Sequence, residues 1–416
     1  MSSGHKFSFM SNNQNFDKEK DTVYYSGPFW TKDEIGAFIN TFITGKWLSS
    51  GENVKRFEIK FSKKFNQKHS VMVNSGSSAN LVMIAALKEY YNWKDGDEII
   101  VSCVGFPTTI NPIIQNNLKP VFVDIDFDDL NWSLKDVENK ITDKTVAVFS
   151  SPVLGNAYDI DELKRICDAS KIKIIADNCD SLGSKWKGKL LTDYSVASSC
   201  SFYPAHHITT CEGGMVSSNN QDIIKIARSL AWWGRDCYCI GSANLLSCGT
   251  CNKRFGKWLE NYNGIVDHKY VFTQIGYNLK PLDVQGAIGN EQIKKFDLIH
   301  SERRRNKVII GDMFNKIPGV RVVKEKSKAE TSWFGVPIIC DNNNIKQTLV
   351  KHLEYNRVQT RNYFAAYGKI DDFKKYPEAN KVLDRVFFVG CSPTINSKMI
   401  DYISTVVNLY MDKKNE

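Results

Sequence analysis

The sequence has no uninterrupted apolar run of about 18 residues, so no membrane-spanning helix is expected. Met1 to Lys20 is polar and has no apolar stretch of the signal-peptide kind, which points to the cytoplasm. Charge of one sign is not in large excess. Lys and Arg number 55 against 46 Asp and Glu, a net +9 over 416 residues. That balance suits anionic small molecules or an acidic partner protein and gives little support to nucleic-acid binding; a solvated basic surface explains it equally well. Internal repeats are absent, and the only compositionally biased tract is the N-terminal one. Eleven cysteines in a reducing compartment argue against disulfides and towards metal binding, catalysis or burial.

What is present is an alternation of short apolar runs with helical periodicity. Residues 1–25, rich in Ser, Asn, Gln, Lys and Asp, are expected to be flexible or loosely packed. Thr31-Lys32-Asp33-Glu34 reads as a capping box that opens a helix. Strands are predicted at 70–73, 98–101, 120–123, 146–149 and 172–176, with helices at 77–91, 107–115, 134–140 and 160–169 between them. This is a βαβ series, hence an α/β fold with a mainly parallel sheet, whose active site lies beyond the carboxyl ends of the strands. A loop-rich stretch at 234–276 leads to one long helical region, 282–317, ended by Pro318-Gly319. The rest reads as a smaller α+β unit. The expected division is 1–25, a large cofactor-binding unit over 26–300, and a small C-terminal unit over 301–416.

Five features bear on chemistry. Asn74-Ser75-Gly76-Ser77-Ser78-Ala79-Asn80 joins a strand to a helix; Gly76 allows a tight turn, and Ser77 and Ser78 make either an anion site or a simple N-cap. Asp177 ends a strand and suits either a protonated ring nitrogen or a helix cap. Phe106 follows another strand end and either stacks on a planar ring or packs in the core. Ser201-Phe202-Tyr203-Pro204-Ala205-His206-His207 leads into Glu212-Gly213-Gly214, the frame in which many pyridoxal-phosphate enzymes hold a Schiff-base lysine. That lysine is missing: His206 stands there, and an imidazole moves protons near neutral pH but forms no stable imine. The fifth feature is a set of cysteines: Cys179, the pair Cys237 and Cys239, then Cys248 and Cys251, with 57 residues between Cys179 and Cys237. Four thiolates suit zinc or iron–sulfur equally. Cys103, Cys167, Cys200, Cys340 and Cys391 read as structural.

Together with Gly51-Glu52-Asn53-Val54-Lys55-Arg56-Phe57-Glu58 and Gly276-Tyr277-Asn278-Leu279-Lys280, these pieces resemble the sugar aminotransferase family of the aspartate-aminotransferase fold, clearly over about 25–300 and loosely beyond. The resemblance implies pyridoxamine or pyridoxal phosphate (PMP/PLP) held by Gly76, Ser77, Ser78, Phe106, Asp177 and Ser201. It implies a homodimer in which Asn278 reaches the phosphate of the neighbouring subunit. Histidine at the lysine position is similar to the family's 3-dehydratase branch, with His206 as base and His207 the weaker candidate. Asp180 and Tyr203 then flank the ring and favour dehydration, while Phe334 and Arg361 are substrate contacts, the arginine for phosphate. Cys211 departs from the family's usual glycine, which predicts a slightly altered turn and unchanged chemistry.

One type in that branch carries a [2Fe–2S] cluster and acts on CDP-linked 4-keto-6-deoxyhexoses. Cys179, Cys237 and Cys239 match its ligand pattern, with Cys251 as fourth ligand by local sequence and Cys248 as runner-up, in a loop at about 234–256. The resemblance to this type implies removal of the C3 hydroxyl followed by reduction through a flavin/iron–sulfur reductase. The alternative is the cluster-free type, which takes a GDP-linked sugar through dehydration and then deamination.

Overall fold

The computed structural model describes residues 16–45, 47–237, 254–363 and 373–415. The capping box forms as written: Thr31 and Glu34 exchange side-chain and backbone hydrogen bonds at the start of α1 (Lys32–Thr44). After α2 (Glu52–Lys64), the βαβ series follows. Strands β1 (His69–Val73), β2 (Glu98–Ser102), β3 (Lys119–Val123), β4 (Thr145–Ser150) and β5 (Lys173–Asp177) alternate with α3 (Gly76–Tyr91), α4 (Pro107–Gln115), α5 (Leu134–Asn139) and α6 (Ile160–Ala169). Two further strands, Ala197–Ser201 and Gly214–Ser218, complete a seven-stranded sheet.

Its order is β1, 214–218, 197–201, β5, β4, β2, β3. Only the strand 214–218 runs against its neighbours; the pairs from 197–201 to β3 are parallel. Nearly every residue of β2, β4 and β5 is buried, because helices cover both faces. One apolar layer packs the sheet under α3, α4 and α7 (Gln221–Ala231), and a second packs it under α5 and α6. The sheet's parallel strands therefore point their carboxyl ends, and whatever side chains sit there, to one edge of the molecule.

The long helical region predicted over 282–317 is interrupted. It consists of α8 (Asp283–Gln292), a 3-10 turn at Ile293–Lys295 and α9 (Phe296–Phe314). Around α9 the C-terminal unit builds a four-stranded antiparallel sheet in the order 320–322, 335–340, 386–390, 360–362. It is backed by α10 (Asn343–Tyr355), α11 (Pro377–Arg385) and α12 (Ser397–Asn415). Residue 23 departs from the loose packing its surroundings predict. Val23 is 2% exposed and bridges Val358, because it completes the apolar cluster of the C-terminal unit. Among the described residues no helix is long and apolar enough to cross a membrane.

Candidate active site

A cavity of about 480 Å3 opens at the carboxyl ends of the parallel strands and is closed on its far side by the C-terminal sheet. Asp177, the last residue of β5, is 5% exposed. Its Oδ2 accepts hydrogen bonds from Asn80 Nδ2 (2.8 Å) and Thr109 Oγ1 (2.6 Å), and its Oδ1 from the Cys179 amide (3.2 Å). Asn80 and Thr109 lie on α3 and α4, so two helices brace one carboxylate at the sheet edge.

The N-terminus of α3 faces the same space. Ser75 caps it, accepting from the Ser78 amide at 3.1 Å. Ser77 lines the cavity and donates to Thr108 Oγ1, whereas Ser78 lies outside the cavity wall. Gly76 is demanded by close approach: a Cβ there would stand 2.4 Å from Ser201 Cβ and 2.8 Å from Ser201 Oγ. The gap left by that missing Cβ, the helix N-terminus and the serine hydroxyls make a cradle suited to a phosphate. With Asp177 placed to hold a protonated ring nitrogen and Phe106, half exposed at the N-cap of α4, placed beside the ring, these residues fit a pyridoxal-type cofactor.

His206 sits on the turn between the strands 197–201 and 214–218. Phe202 N bonds Gly213 O (2.8 Å), Thr210 N bonds Phe202 O (3.0 Å) and His206 N bonds Tyr203 O (3.0 Å), which folds the turn back over the cavity. Its Nδ1 lies 3.6 Å from Asp180 Oδ1 and has no hydrogen-bond partner. Its ring is 5.1 Å from that of Phe334 and 6.3 Å from that of Tyr203. Burial, and then the Arg303 guanidinium, lower the imidazole to about 3, so it is a neutral base at physiological pH. Burial and the neighbouring Asp177 raise the Asp180 carboxyl to about 7, with 27% of its side chain still exposed. Two titratable groups in contact, shifted in opposite directions, mark a site for proton transfer.

The remaining candidates divide. Tyr203, Phe334 and Arg361 line the cavity, and the Arg361 guanidinium stacks 4.4 Å from the Tyr25 ring. His207 is turned away: it is 2% exposed and its Nε2 contacts the Ser332 carbonyl at 3.0 Å. Asn278 is exposed, accepts a hydrogen bond from Lys280 and does not line its own protomer's cavity. Cys179 lines the cavity, while Cys237 lines a separate one beside Glu58 and Arg228. Cys239, Cys248 and Cys251 lie outside the described residues, among which no group of three or more potential ligands forms a metal site. Cys211 takes the position usually held by glycine at a left-handed φ of 72°.

Sequence reading missed Asn80, Thr109, Tyr25 and Arg303. Asn80 stood in the quoted Asn74–Asn80 run and carried a signal, a polar residue one turn into an otherwise apolar helix face. The others carried none.

Residues 30–408 match the DegT/DnrJ/EryC1/StrS aminotransferase family. The chain is 35% identical to a dTDP-4-dehydro-2,6-dideoxy-D-glucose 3-dehydratase of Saccharopolyspora spinosa, over 94% of this chain and 87% of that one. It is 32% identical to a GDP-4-keto-6-deoxy-D-mannose 3-dehydratase of Yersinia pseudotuberculosis, over 92% and 95%. Among solved structures, the E. coli GDP-4-keto-6-deoxy-D-mannose-3-dehydratase with bound hydrated PLP superposes with a TM-score of 0.79 at 29% identity, covering 92% of this chain and 99% of that one.

Proposed function

Because the chain belongs to the DegT/DnrJ/EryC1/StrS aminotransferase family, we propose that it is a PMP-dependent 3-dehydratase of a nucleotide-linked 4-keto-6-deoxyhexose. The observation that carries the reading is the neutral, largely enclosed imidazole of His206 at the place of the family's lysine, within the cavity that also holds Asp177 and the α3 cradle. The preferred substrate is GDP-linked, as the names of the Yersinia and E. coli relatives support, and the type is the cluster-free one. The setting is the making of deoxysugars for cell-surface polysaccharide.

PMP, when bound, would supply the amine that condenses with the C4 ketone and a ring able to accept electrons. This chain's residues do the rest. Asp177, fixed by Asn80 and Thr109, holds the proton of the ring nitrogen. Ser77, Ser201 and the α3 N-terminus would hold the phosphate, and Phe106 would stack on the ring. His206 takes up a proton as a neutral base and returns one to the departing C3 hydroxyl, so water leaves and no external acid is needed. Asp180, 3.6 Å from Nδ1, stabilises the imidazolium while that proton is held. Arg361, stacked on Tyr25 in the cavity wall, would meet a phosphate of the nucleotide. Asn278, exposed and outside its own cavity, would reach the cavity of a second subunit in a homodimer.

A second reading rests on Cys179, which lines this cavity two residues after Asp177. With Cys237, Cys239 and Cys251 it would serve a [2Fe–2S] enzyme acting on a CDP-linked sugar with a flavin/iron–sulfur reductase. Anaerobic purification separates the two: about two irons per chain and a brown colour favour the cluster, a colourless active protein the cluster-free reading.

The main test offers GDP-4-keto-6-deoxymannose and CDP-4-keto-6-deoxyglucose to the PLP-loaded enzyme with glutamate and follows loss of the C3 hydroxyl by mass spectrometry. His206→Asn is expected to lower that rate by about 100-fold or more. His206→Lys should form a covalent cofactor linkage, seen as a shifted absorbance band. Wild-type dehydration by His206→Asn would remove His206 from the mechanism.

A further inference from the structure

Arg303 lies in the middle of α9 and is 1% exposed. Its flanking arginines pair with carboxylates, Arg304 with Glu325 and Arg305 with Glu302. Among the described residues Arg303 makes no such ion pair; beside a long contact to Ser26 Oγ (3.5 Å) and the Cys391 thiol, its donors go to main-chain carbonyls. Nη1 reaches Phe334 O at 2.9 Å and Trp333 O at 3.4 Å. Nη2 reaches Ala205 O at 2.9 Å and His206 O at 3.1 Å. Its Nε is buried without a partner.

Burying a cation with no carboxylate in direct contact is costly, and arginines so placed are usually paired; the charge Arg303 feels is Asp180, beyond ion-pair distance. What the guanidinium does that no apolar residue could is tie two segments from different parts of the fold. One is the turn carrying His206. The other is the start of the strand 335–340, whose preceding residue, Phe334, puts its ring 5.1 Å from the imidazole. Ser26 joins the same knot, donating from Oγ to Ala205 O at 2.7 Å. Arg303 is not part of the cavity wall, so it does not touch what the cavity binds.

We propose that Arg303 is a positioning residue for His206, its guanidinium locking the turn that carries the imidazole to the strand that carries Phe334. The planar fork matters as much as the charge, since two nitrogens each serve two carbonyls. The other titratable groups around the imidazole are Asp180 and Cys179 from the loop after β5 and Tyr203 and His207 from its own turn. Tyr25 and Arg361 line the same cavity. Of these only His207 also reaches the second segment, through Nε2 to the Ser332 carbonyl at 3.0 Å, and it does so with one contact where Arg303 makes four.

The proposal rests on His206 being the base, and the test separates the two. PLP-loaded full-length enzyme labelled with 15N-histidine is compared as wild type, Arg303→Met and Arg303→Lys at pH 7. In Arg303→Met, kcat should fall about tenfold or more with KM nearly unchanged, and the His206 ring nitrogens should move towards tautomer-averaged shifts. Arg303→Lys restores charge but not the fork, so it should recover only part of kcat. Wild-type kcat and unchanged His206 shifts in Arg303→Met would overturn the proposal. Should that variant fail to fold, Arg303→Lys decides alone, wild-type kcat overturning it. If His206→Asn proves fully active, the functional reading fails, and the ring-nitrogen shifts then decide the Arg303 tie by themselves.

Discussion

At the scale of residues, the site works by placing ordinary groups in unusual surroundings. Asp180 shows the sign of the effect. Its carboxyl is raised to about 7, so the folded chain keeps a proton that the unfolded chain releases near pH 4. Stability from this group is complete below about pH 4 and is lost as pH rises through about 7. Asp180→Asn escapes that loss. Its melting temperature relative to wild type should rise between pH 5 and pH 8, by roughly 2 °C; a constant difference in calorimetry would contradict the shift. Cys211 carries backbone strain at φ 72°, in a region that favours glycine. Cys211→Gly should stabilise the chain by up to about 1 kcal/mol in urea unfolding, with unchanged kcat. The departure from glycine was visible in the sequence, and the left-handed backbone is what gives it an energetic meaning.

Elements turn local signals into geometry. Ser75-Gly76-Ser77-Ser78 reads as a helix start, and a helix starts there. The sequence could not say why Gly76 is required, because the atom it avoids belongs to Ser201 on another strand. Gly76→Ala should force that contact apart and weaken PLP binding by about tenfold, measured by absorbance titration, while α3 stays folded. Asp177 was readable from its place at a strand end. Its braces were not: Asn80 is 97 residues away in sequence and Thr109 is 68 away, and only the packing of α3 and α4 on the sheet brings them together. The helical region predicted over 282–317 is helical from 283 to 314, with a tighter 3-10 turn at 293–295 between its two α-helices.

For the whole molecule, the open question of scale is the second subunit. Asn278 is exposed, bonded to Lys280 and outside its own cavity wall, which is compatible with the proposed contact to the cofactor phosphate of another copy. Co-expressing His206→Asn with Asn278→Asp chains tests this. Each variant alone should be nearly inactive, whereas random pairing of a shared-site dimer regenerates about one quarter of the sites. Activity no higher than either parent would show that each site is built from one chain. The sequence by itself determined the alternation of strands and helices, the helix start at Ser75, the strand-end position of Asp177 and the loss of lysine at His206, because each is written in neighbouring residues. The tertiary structure decided what surrounds them. It set His206 against Asp180 and Phe334, turned His207 away, braced Asp177 from two helices and buried Arg303 among main-chain carbonyls. Those contacts join residues tens to hundreds of positions apart, and burial, which sets their chemistry, is a property of the packed molecule alone.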